Sequence, residues 1–261
     1  MKKLIVILVA FALVFTACKG KKQPQAESSL DKIKAAGVLT IGTEGTYPPF
    51  SYHNEANELV GYDVEIAKEI AKKLGVTAKH VESRWDSLII GLDTSHWDTV
   101  INQVGINPDR QAKYDFSTPY SYSRGVLIVH NDNTAINSFS DLKGKKSAQT
   151  VTSNWAKLGE ANGAEIVGTD GFNQSVDLVI SGRSDATIND DVTFYDYTNQ
   201  HPSSPVKIVA TSDDITANGA IIAKNQPELL AAINKALDEL QKDGTLKALS
   251  EKYFGKDISV K

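Results

Sequence analysis

Strand-like and helix-like segments alternate along this chain, and the alternation happens twice. The clearest helix carries apolar residues every four positions from Tyr62 and ends at Gly75. The predicted strands cover residues 38–42, 78–81 and 98–103 in the first run and 147–151, 164–167 and 185–189 in the second. Further helices are predicted from Ser153 and over 174–181. This order predicts an α/β fold in which mostly parallel sheets are covered by helices.

A short internal echo indicates that the two runs are similar units. Residues 98–102 read DTVIN and residues 185–189 read DATIN, each after a helical stretch. Gln103 and Asp190 therefore follow corresponding strands. Ligands in open α/β sheets lie beyond the carboxyl ends of strands. Two such units that face each other would place Arg110 and Asp190 across a shared cleft.

The last part of the chain is predicted to return to the first unit. A strand over 220–223 and two helices separated by Gly244 follow after the second unit is complete. The chain would then cross between the units twice, near residues 121–126 and 216–219. Two neighbouring crossings of this kind are expected to act as a hinge.

The N-terminus reads as an export signal followed by a tether. Residues 1–17 have a basic start and an apolar run too short to span a membrane. Cys18 follows Phe15-Thr16-Ala17, which resembles the lipobox of bacterial lipoproteins, although leucine is usual where Phe15 stands. An acylated, for example palmitoylated, Cys18 would anchor the protein to a membrane; the alternative is an ordinary signal peptide. Residues 18–29 are polar and are predicted to be flexible, with order beginning at Leu30.

Composition excludes several classes of function. Cys18 is the only cysteine, so the folded part has none for a disulfide, a metal site or nucleophilic catalysis. The formal net charge is −4 before the two lysines of the signal are removed, which argues against nucleic acid binding. The five histidines lack metal-ligand spacing, and no G-x-S-x-G occurs. We therefore expect no metal, no cofactor and no catalytic residues.

Arg110 is the first candidate binding residue. Asn107 is a good helix N-cap and Pro108 suits the first helical position, so residues 109–113 should form a short helix that carries this arginine. Gly105, close by, allows a ligand to approach the backbone. A guanidinium group offers paired donors that match both oxygens of a carboxylate. The alternative is a surface arginine paired with Asp109 or Asp115.

Asp190 is the second candidate. It ends an apolar strand and is followed by Asp191, so one of the two acids should point to the cleft and the other to solvent. In the cleft, Asp190 could accept hydrogen bonds from an ammonium group, which has three donors. The alternative is that Asp190 caps the helix that follows.

The third candidate is the pair Ser153 and Asn154, at a predicted strand-to-helix junction. Backbone N–H groups at a helix start attract anions, and these residues could cap the helix, bind a carboxylate, or do both.

Aromatic and acidic residues in loop-like surroundings complete the candidate site. Tyr47 and Trp85 are expected at the cleft, where flat rings can enclose the body of a ligand. Phe50 and Trp97 are expected in the core. Glu44 could meet a second positive group of the ligand, although an exposed glutamate is the commoner outcome.

Taken together, these segments resemble family 3 solute-binding proteins, the extracellular receptors of polar amino acid ABC transporters. The resemblance covers residues 30–260 and is carried by GTEGTYPPFSY, ELVGYDVEIAKEIAKKLG, INQVGINPDRQAKYDFSTPY, DLKGKK, GRSDATIND and LQKDGTLKALSEKYFG. GTEGTYPPF, NQVG and KSAQTVTSN look most similar to cystine-binding members. The resemblance implies a two-lobed, type II periplasmic-binding-protein fold, with residues 30–121 and 219–261 in one lobe and 122–218 in the other.

The resemblance also implies roles for individual residues. Arg110 matches the arginine that binds the ligand's α-carboxylate, and Asp190 matches the acid that binds its α-ammonium. Many members have serine or threonine at Gly105, so a hydroxyl contact is missing here. The predicted binding set is Glu44, Tyr47, Trp85, Gln103, Gly105, Arg110, Ser153, Asn154 and Asp190.

The sequence therefore predicts a monomeric, lipid-anchored amino acid receptor on the extracellular or periplasmic face of a membrane. It would close on its ligand, L-cystine first, and deliver it to an ABC permease. The alternatives are a receptor for glutamine, histidine, lysine or arginine, a sensor, or an enzyme resembling cyclohexadienyl dehydratase.

Overall fold

The computed structural model describes residues 27–261, so the predicted signal, Cys18 and most of the predicted tether lie outside the described residues. Along the described chain the strands are β1 (Val38–Thr43), β2 (Thr46–Tyr47), β3 (Ser51–His53), β4 (Leu59–Val60), β5 (Thr77–Glu82), β6 (Thr99–Val100), β7 (Tyr114–Phe116), β8 (Ser121–His130), β9 (Lys146–Gln149), β10 (Glu165–Gly168), β11 (Ala186–Asp190), β12 (Val206–Asn218) and β13 (Ile221–Ala223).

The helices alternate with these strands much as predicted. In chain order they are α1 (Ser29–Ala36), α2 (Tyr62–Leu74), α3 (Trp85–Leu88), α4 (Ile90–Asp93), α5 (Pro108–Lys113), α6 (Asn154–Ala161), α7 (Phe172–Ile180), α8 (Asp191–Gln200), α9 (Pro227–Lys242) and α10 (Thr245–Phe254). A single 3₁₀ turn covers Phe139–Leu142.

Two five-stranded sheets with the same arrangement organise the described residues. Their strand orders are β5-β1-β6-β13-β7 and β10-β9-β11-β8-β12. Strand β6 lies within the DTVIN segment and β11 covers the last four residues of DATIN, and both strands occupy the third position of their sheets. The internal echo therefore reflects equivalent places in two similar sheets. We call the part built on the sheet with β1 the first lobe and the part built on the sheet with β9 the second lobe.

The sheets are mixed, whereas mostly parallel sheets were expected. In the first sheet β1 pairs in parallel with β5 and β6, but β13 runs antiparallel to β6 and β7. In the second sheet β9 pairs in parallel with β10 and β11, but β8 runs antiparallel to β11 and β12. The antiparallel pairings arise because β8 and β13 enter each sheet directly from the other lobe, without the crossover helix that a parallel pairing requires.

Local signals set the helix boundaries. Ser28 caps α1 through a capping box with Asp31, so the ordered helix starts slightly before the predicted Leu30. Gly75 ends α2 in the left-handed conformation, at φ 76°. Asn107 caps α5, and Pro108 is its first residue, as predicted. A small sheet of β2, β3 and β4 occupies part of the region expected to be a loop.

Each face of the two sheets is covered by an apolar cluster. In the first lobe, α2, α9 and α10 contribute to a cluster on one face, and α3 and α4 to a cluster on the other. In the second lobe, α7 and α8 contribute to one cluster and α6 to the other. Phe50 and Trp97 are buried, as expected. The chain after residue 219 therefore adds β13, α9 and α10 to the first lobe.

Two antiparallel strands connect the lobes. The first crossing leads into β8 and the second leaves β12, and Ser121 at the start of one pairs with Asn218 at the end of the other. None of the helices between residues 27 and 261 is both long and apolar enough to cross a membrane.

Candidate functional site

A cleft with side chains from both lobes in its walls lies between the lobes. It is lined by residues that follow the carboxyl ends of strands in both sheets. These residues are Glu44, Tyr47, Trp85, Asn102, Gln103, Thr150, Ser153, Asn154, Trp155, Gly171, Phe172, Asn189 and Asp190. Every predicted binding residue except Gly105 and Arg110 is among them.

Asp190 presents its carboxylate to this cleft. It occupies the N-cap position of α8, but its side chain makes no capping hydrogen bond, so the capping alternative does not hold. Instead the carboxylate accepts hydrogen bonds from Ser123 Oγ at 2.5 Å, from the Tyr47 hydroxyl at 2.9 Å and from Trp155 Nε1 at 3.3 Å. Burial raises the pKa of Asp190 to about 6. A cation that reached this carboxylate would favour its charged form.

The neighbouring Asp191 points elsewhere, as the sequence predicted for one of the two acids. Its carboxylate accepts from the backbone N–H of Arg124 and lies 3.5 Å from Lys256 Nζ. Of the two adjacent acids, only Asp190 therefore lines the cleft.

Arg110 lies beside the cleft with a buried guanidinium group. Its Nη1 donates to the carbonyl of Gly105 at 2.9 Å, and its Nη2 lies 3.5 Å from the carbonyl of Thr152 in the second lobe. The guanidinium carbon stands 5.3 Å from the ring centroid of Trp85. Burial lowers the pKa of Arg110 to about 10, so the group is still positively charged at neutral pH.

The alternative partners expected for Arg110 are occupied by other residues. Asp109 pairs with Lys157 at 2.5 Å, and Asp115 pairs with Lys224 at 2.7 Å. Among residues 27–261 no carboxylate forms an ion pair with Arg110. A buried cation satisfied only by neutral carbonyl groups and an aromatic ring is a strong site for an incoming anion.

Gly105 contributes its backbone rather than a side chain. Its carbonyl positions Arg110, and it forms an isolated bridge with Asn218. A Cβ atom at this position would lie 3.1 Å from Thr216 Cγ2 and 3.7 Å from Arg110 Nη1. A hydroxyl-bearing side chain here would therefore require Thr216 to move slightly.

Glu44 is a second buried acid of the cleft, not an exposed one. The side chain is 9% exposed and accepts a hydrogen bond of 2.6 Å from Asn102 Nδ2. The amide oxygen of Asn102 in turn accepts from the Glu44 backbone N–H at 2.9 Å. Burial raises the pKa of Glu44 to about 7. Sequence reasoning missed Asn102, which fixes the orientation of this carboxyl group.

Gln103 lines the cleft, but its amide group is used inside the protein. Its backbone N–H donates to Asp63 Oδ2 at 2.7 Å and its Nε2 to Asp63 Oδ1 at 2.8 Å. Its Oε1 accepts from Ser121 Oγ at 2.8 Å. With φ at 49°, Gln103 turns the chain away from β6. It is better placed to orient neighbouring residues than to bind a ligand through its amide.

Ser153 and Asn154 lie at the predicted helix start. The Ser153 side chain caps α6 by accepting from the Ala156 N–H at 2.9 Å, and Asn154 is the first helical residue. The capping alternative is therefore confirmed for Ser153, and both residues also line the cleft, where carboxylate binding stays a prediction.

Aromatic side chains from both lobes enclose the cleft. Tyr47 and Trp85 lie in the first lobe as expected, and Trp155 and Phe172 in the second lobe were not predicted. Trp155 reaches this place because it packs where Gly125 has no side chain: a Cβ there would lie 2.5 Å from the Trp155 ring. The glycine could have suggested a close approach, but not by which residue.

The lobes touch across the mouth of the cleft. Arg84 forms an ion pair with Asp170, and the Thr152 hydroxyl donates to Asp86 at 2.7 Å. Together with the pair between Asp109 and Lys157, these contacts hold the rim of one lobe against the rim of the other.

Known proteins are similar to this chain over most of its length. Residues 39–256 match the sequence model of the bacterial extracellular solute-binding proteins, family 3. The chain is 40% identical over 259 residues to a probable amino-acid ABC transporter-binding protein of Haemophilus influenzae, covering 99% of this chain and 100% of that protein. It is also 40% identical over 268 residues to the L-cystine-binding protein TcyA of Bacillus subtilis, covering 99% and 100%.

Two solved structures superpose on this chain to different extents. The L-cystine solute receptor of Neisseria gonorrhoeae, in its unliganded open conformation, is 46% identical and covers 89% of this chain and 100% of its own, with a TM-score of 0.60. An ancestral arginine-binding protein bound to arginine is only 37% identical, covering 84% and 99%, yet its TM-score is 0.79. The protein more similar in sequence is thus less similar in overall arrangement, as expected when lobes of the same fold are oriented differently.

Proposed function

Because the chain belongs to the bacterial extracellular solute-binding proteins of family 3, we propose that it binds a free amino acid between its lobes and delivers it to an ABC permease. The observation that carries the proposal is a pair of opposite buried charges, one in the cleft on the second lobe and one beside it on the first lobe. Among residues 27–261 the buried guanidinium of Arg110, on the first lobe, has no carboxylate partner, and the buried carboxylate of Asp190 stands on the second lobe. A zwitterion would satisfy both groups at once.

The two ends of the ligand are held by different types of contact. Arg110 would pair with the α-carboxylate, assisted by the start of α6 at Ser153 and Asn154. Asp190 would accept from the α-ammonium. Tyr47 and Trp85 would lie against the ligand body, and Gly105 would keep Arg110 in place through its carbonyl.

L-cystine is the proposed ligand. It carries a second ammonium group, and Glu44 offers a second carboxyl group in the same cleft, oriented by Asn102. The similarity to two L-cystine-binding proteins supports this choice. Lysine and arginine also carry a second cation, so a basic amino acid is the next candidate, supported by the similarity to an arginine-bound structure.

Binding and closure would be one event in this protein. A ligand that touches both lobes favours the closed arrangement by its difference in affinity for the two states. The rim contacts described above, including that between Asp86 and Thr152, would form at the same time. They would stabilise the closed arrangement, but salt would weaken them because they are exposed.

An enzyme resembling cyclohexadienyl dehydratase is the competing function. One observation favours it: Glu44 lies in the cleft with its pKa raised to about 7, which suits a general acid. Incubating the protein with prephenate or arogenate tests this function, and formation of product would replace the receptor proposal.

We further propose that the mature protein is a monomer anchored through a lipid on Cys18. The polar tether of residues 18–29 would hold it on the extracellular or periplasmic face of the membrane. The tether joins the first lobe, since α1 packs in the core of that lobe.

The deciding experiment is a thermal-shift panel of the twenty amino acids and L-cystine. A ligand that binds only the folded protein raises its melting temperature, and at equal concentration the tighter ligand gives the larger rise. We expect the largest rise with L-cystine and a smaller one with basic amino acids. A panel without any rise at millimolar ligand would refute the amino acid receptor.

A further inference from the structure

A row of buried polar side chains runs from Asp190 beneath the cleft, and its members beyond Asp190 take no part in the ligand contacts proposed above. It starts at Asp190, whose Oδ1 accepts from Ser123 Oγ at 2.5 Å. Next comes Asn218, whose Nδ2 lies 3.5 Å from Ser123 Oγ and 3.3 Å from Ser121 Oγ. The row thus passes from Asp190 in the second lobe to the place where the start of β8 pairs with the end of β12.

The row continues into the first lobe. Ser121 Oγ donates to Gln103 Oε1 at 2.8 Å. Gln103 then holds both oxygens of Asp63, through its Nε2 at 2.8 Å and its backbone N–H at 2.7 Å. Asp63 belongs to α2 and is completely buried. A continuous set of contacts therefore joins the carboxylates of Asp63 and Asp190, one from each lobe.

The middle of the row lies where the lobes are connected. Ser121 and Ser123 belong to β8 and Asn218 belongs to β12, and Ser121 and Asn218 are paired in the ladder between these strands. All three side chains are at most 5% exposed. Apolar residues would have filled this space without any requirement for orientation, whereas buried polar groups demand partners and so favour discrete arrangements.

We propose that Ser123, Asn218 and Ser121, together with Gln103, form a hinge relay that positions the Asp190 carboxylate for the ligand's ammonium and ties that position to the geometry of the crossing strands. The inference rests on the proposed function, because it assigns positioning residues for the same site. The contacts of Asn218 are the longest in the row, so a bend of β8 against β12 would break them first. Opening would then loosen Ser123 and with it Asp190.

Several charged or titratable groups face Asp190 and share its electrostatics. These are Tyr47 on β2, Asp191 on α8, Asp63 on α2 and, next to Tyr47, Glu44. Against the effect of burial, the Ser123 hydroxyl lowers the pKa of Asp190. Removing the hydroxyl should therefore raise this pKa and leave less carboxylate for an ammonium group at mildly acidic pH.

Ser123→Ala tests the contact that ends the relay. The Asp190 carboxyl carbon is titrated by NMR in the unliganded protein, with Asp190→Asn used to assign the signal. Affinity for L-cystine is measured by calorimetry from pH 5.5 to 8.5. We expect the titration of Asp190 to move to higher pH, and the affinity at pH 6 to fall by roughly tenfold or more with partial recovery at pH 8.5.

Ser121→Ala tests whether the relay transmits, since Ser121 makes no contact with Asp190. We expect a smaller shift of the Asp190 titration in the same direction and an affinity loss of a few fold. Thr187→Val is the matched control: Thr187 is a buried residue of β11, the strand that carries Asp190, but its hydroxyl bonds only to the carbonyl of Ala148. Thermal unfolding of each variant confirms that it is folded.

The outcomes separate the relay from the proposed function. Shifts in both serine variants and none in Thr187→Val support the relay. A shift in Ser123→Ala alone, no shift in either variant, or an equal shift in the control would overturn it. The titration needs no ligand, so a protein that binds no amino acid but shows the shifts would refute the proposed function and leave the relay in place.

Discussion

The hydroxyl of Tyr47 lies 2.9 Å from the carboxylate of Asp190, and this contact crosses from the first lobe to the second. The same hydroxyl is 2.7 Å from Asn189 Oδ1 and 3.1 Å from Thr193 Oγ1. In this arrangement a residue of the first lobe thus contacts the carboxylate that is proposed to bind the ligand's ammonium.

Tyr47→Phe should weaken ligand binding while keeping the aromatic surface. The variant loses a buried hydrogen bond between the lobes, worth on the order of 1 kcal/mol, which corresponds to about fivefold in Kd. Calorimetry with L-cystine measures the change. Tyr195→Phe, on the exposed side of α8, is the matched control and should bind normally. Equal affinity of Tyr47→Phe and the native protein would contradict a role for this contact in closure.

Arg110→Ala should weaken amino acid binding by about 2 kcal/mol or more, because a desolvated ligand carboxylate would be left without its partner. Arg84→Ala provides the comparison, since Arg84 pairs with Asp170 across the rim but is 71% exposed. Loss of such an exposed pair should cost less than about 1 kcal/mol. Titration calorimetry of both variants distinguishes the two, and similar losses would argue against a special place for Arg110.

Binding of a ligand with a second ammonium group should release protons at pH 7. Burial raises the pKa of Glu44 to about 7, so about half of this group is protonated in the empty cleft at that pH. A nearby cation favours the charged form and drives the proton off. Calorimetry in buffers of different ionisation enthalpy measures the release. L-cystine should release more protons than glutamine, and Glu44→Gln should abolish the difference.

Glu44 should also make the stability of the ligand-free protein depend on pH. The pKa of Glu44 is about 7 in the folded protein against 4.5 for a free group, so the folded state binds more protons between these values. Its contribution to stability therefore falls as the pH rises through this window. Urea unfolding at pH 5 and at pH 8 measures this effect. The free energy of unfolding should fall less between these two pH values for Glu44→Gln than for the native protein. An identical loss would mean that Glu44 is not buried as described.

Cys18→Ala should release the protein from membranes, because the proposed acyl chains would have no attachment site. Fractionation of cells that express the variant and the native protein provides the measurement. Ligand binding by the released protein should be unchanged. Membrane attachment of the variant would indicate another anchor.

Local signals predicted the elements well. The cap at Asn107 and the first-turn Pro108 define α5, and Gly75 ends α2, because such signals act within a few residues of the boundary. The DTVIN and DATIN echo led to the equivalent strands of two sheets.

The structural features that the sequence did not predict depend on contacts between distant residues. The direction of β8 and β13 within their sheets leaves no trace in a hydrophobic pattern, so the sheets were expected to be mostly parallel. The strand expected over 98–103 is limited to Thr99–Val100, because Gln103 turns at φ 49° and its N–H bonds to Asp63. Asn102 and Trp155 reach the cleft only through packing that no local motif records.

The pairing of Ser121 with Asn218 means that the second lobe is inserted into the first through two neighbouring positions of the chain. For protein engineering, the second lobe is therefore a segment whose two ends lie side by side, so it can be exchanged as one piece. Exchanging it between relatives would transplant Asp190, the acid proposed to bind the ammonium, while Arg110, the arginine proposed to bind the carboxylate, stays with the recipient. Ligand preference could in this way be divided between two parents and reassembled in one chain.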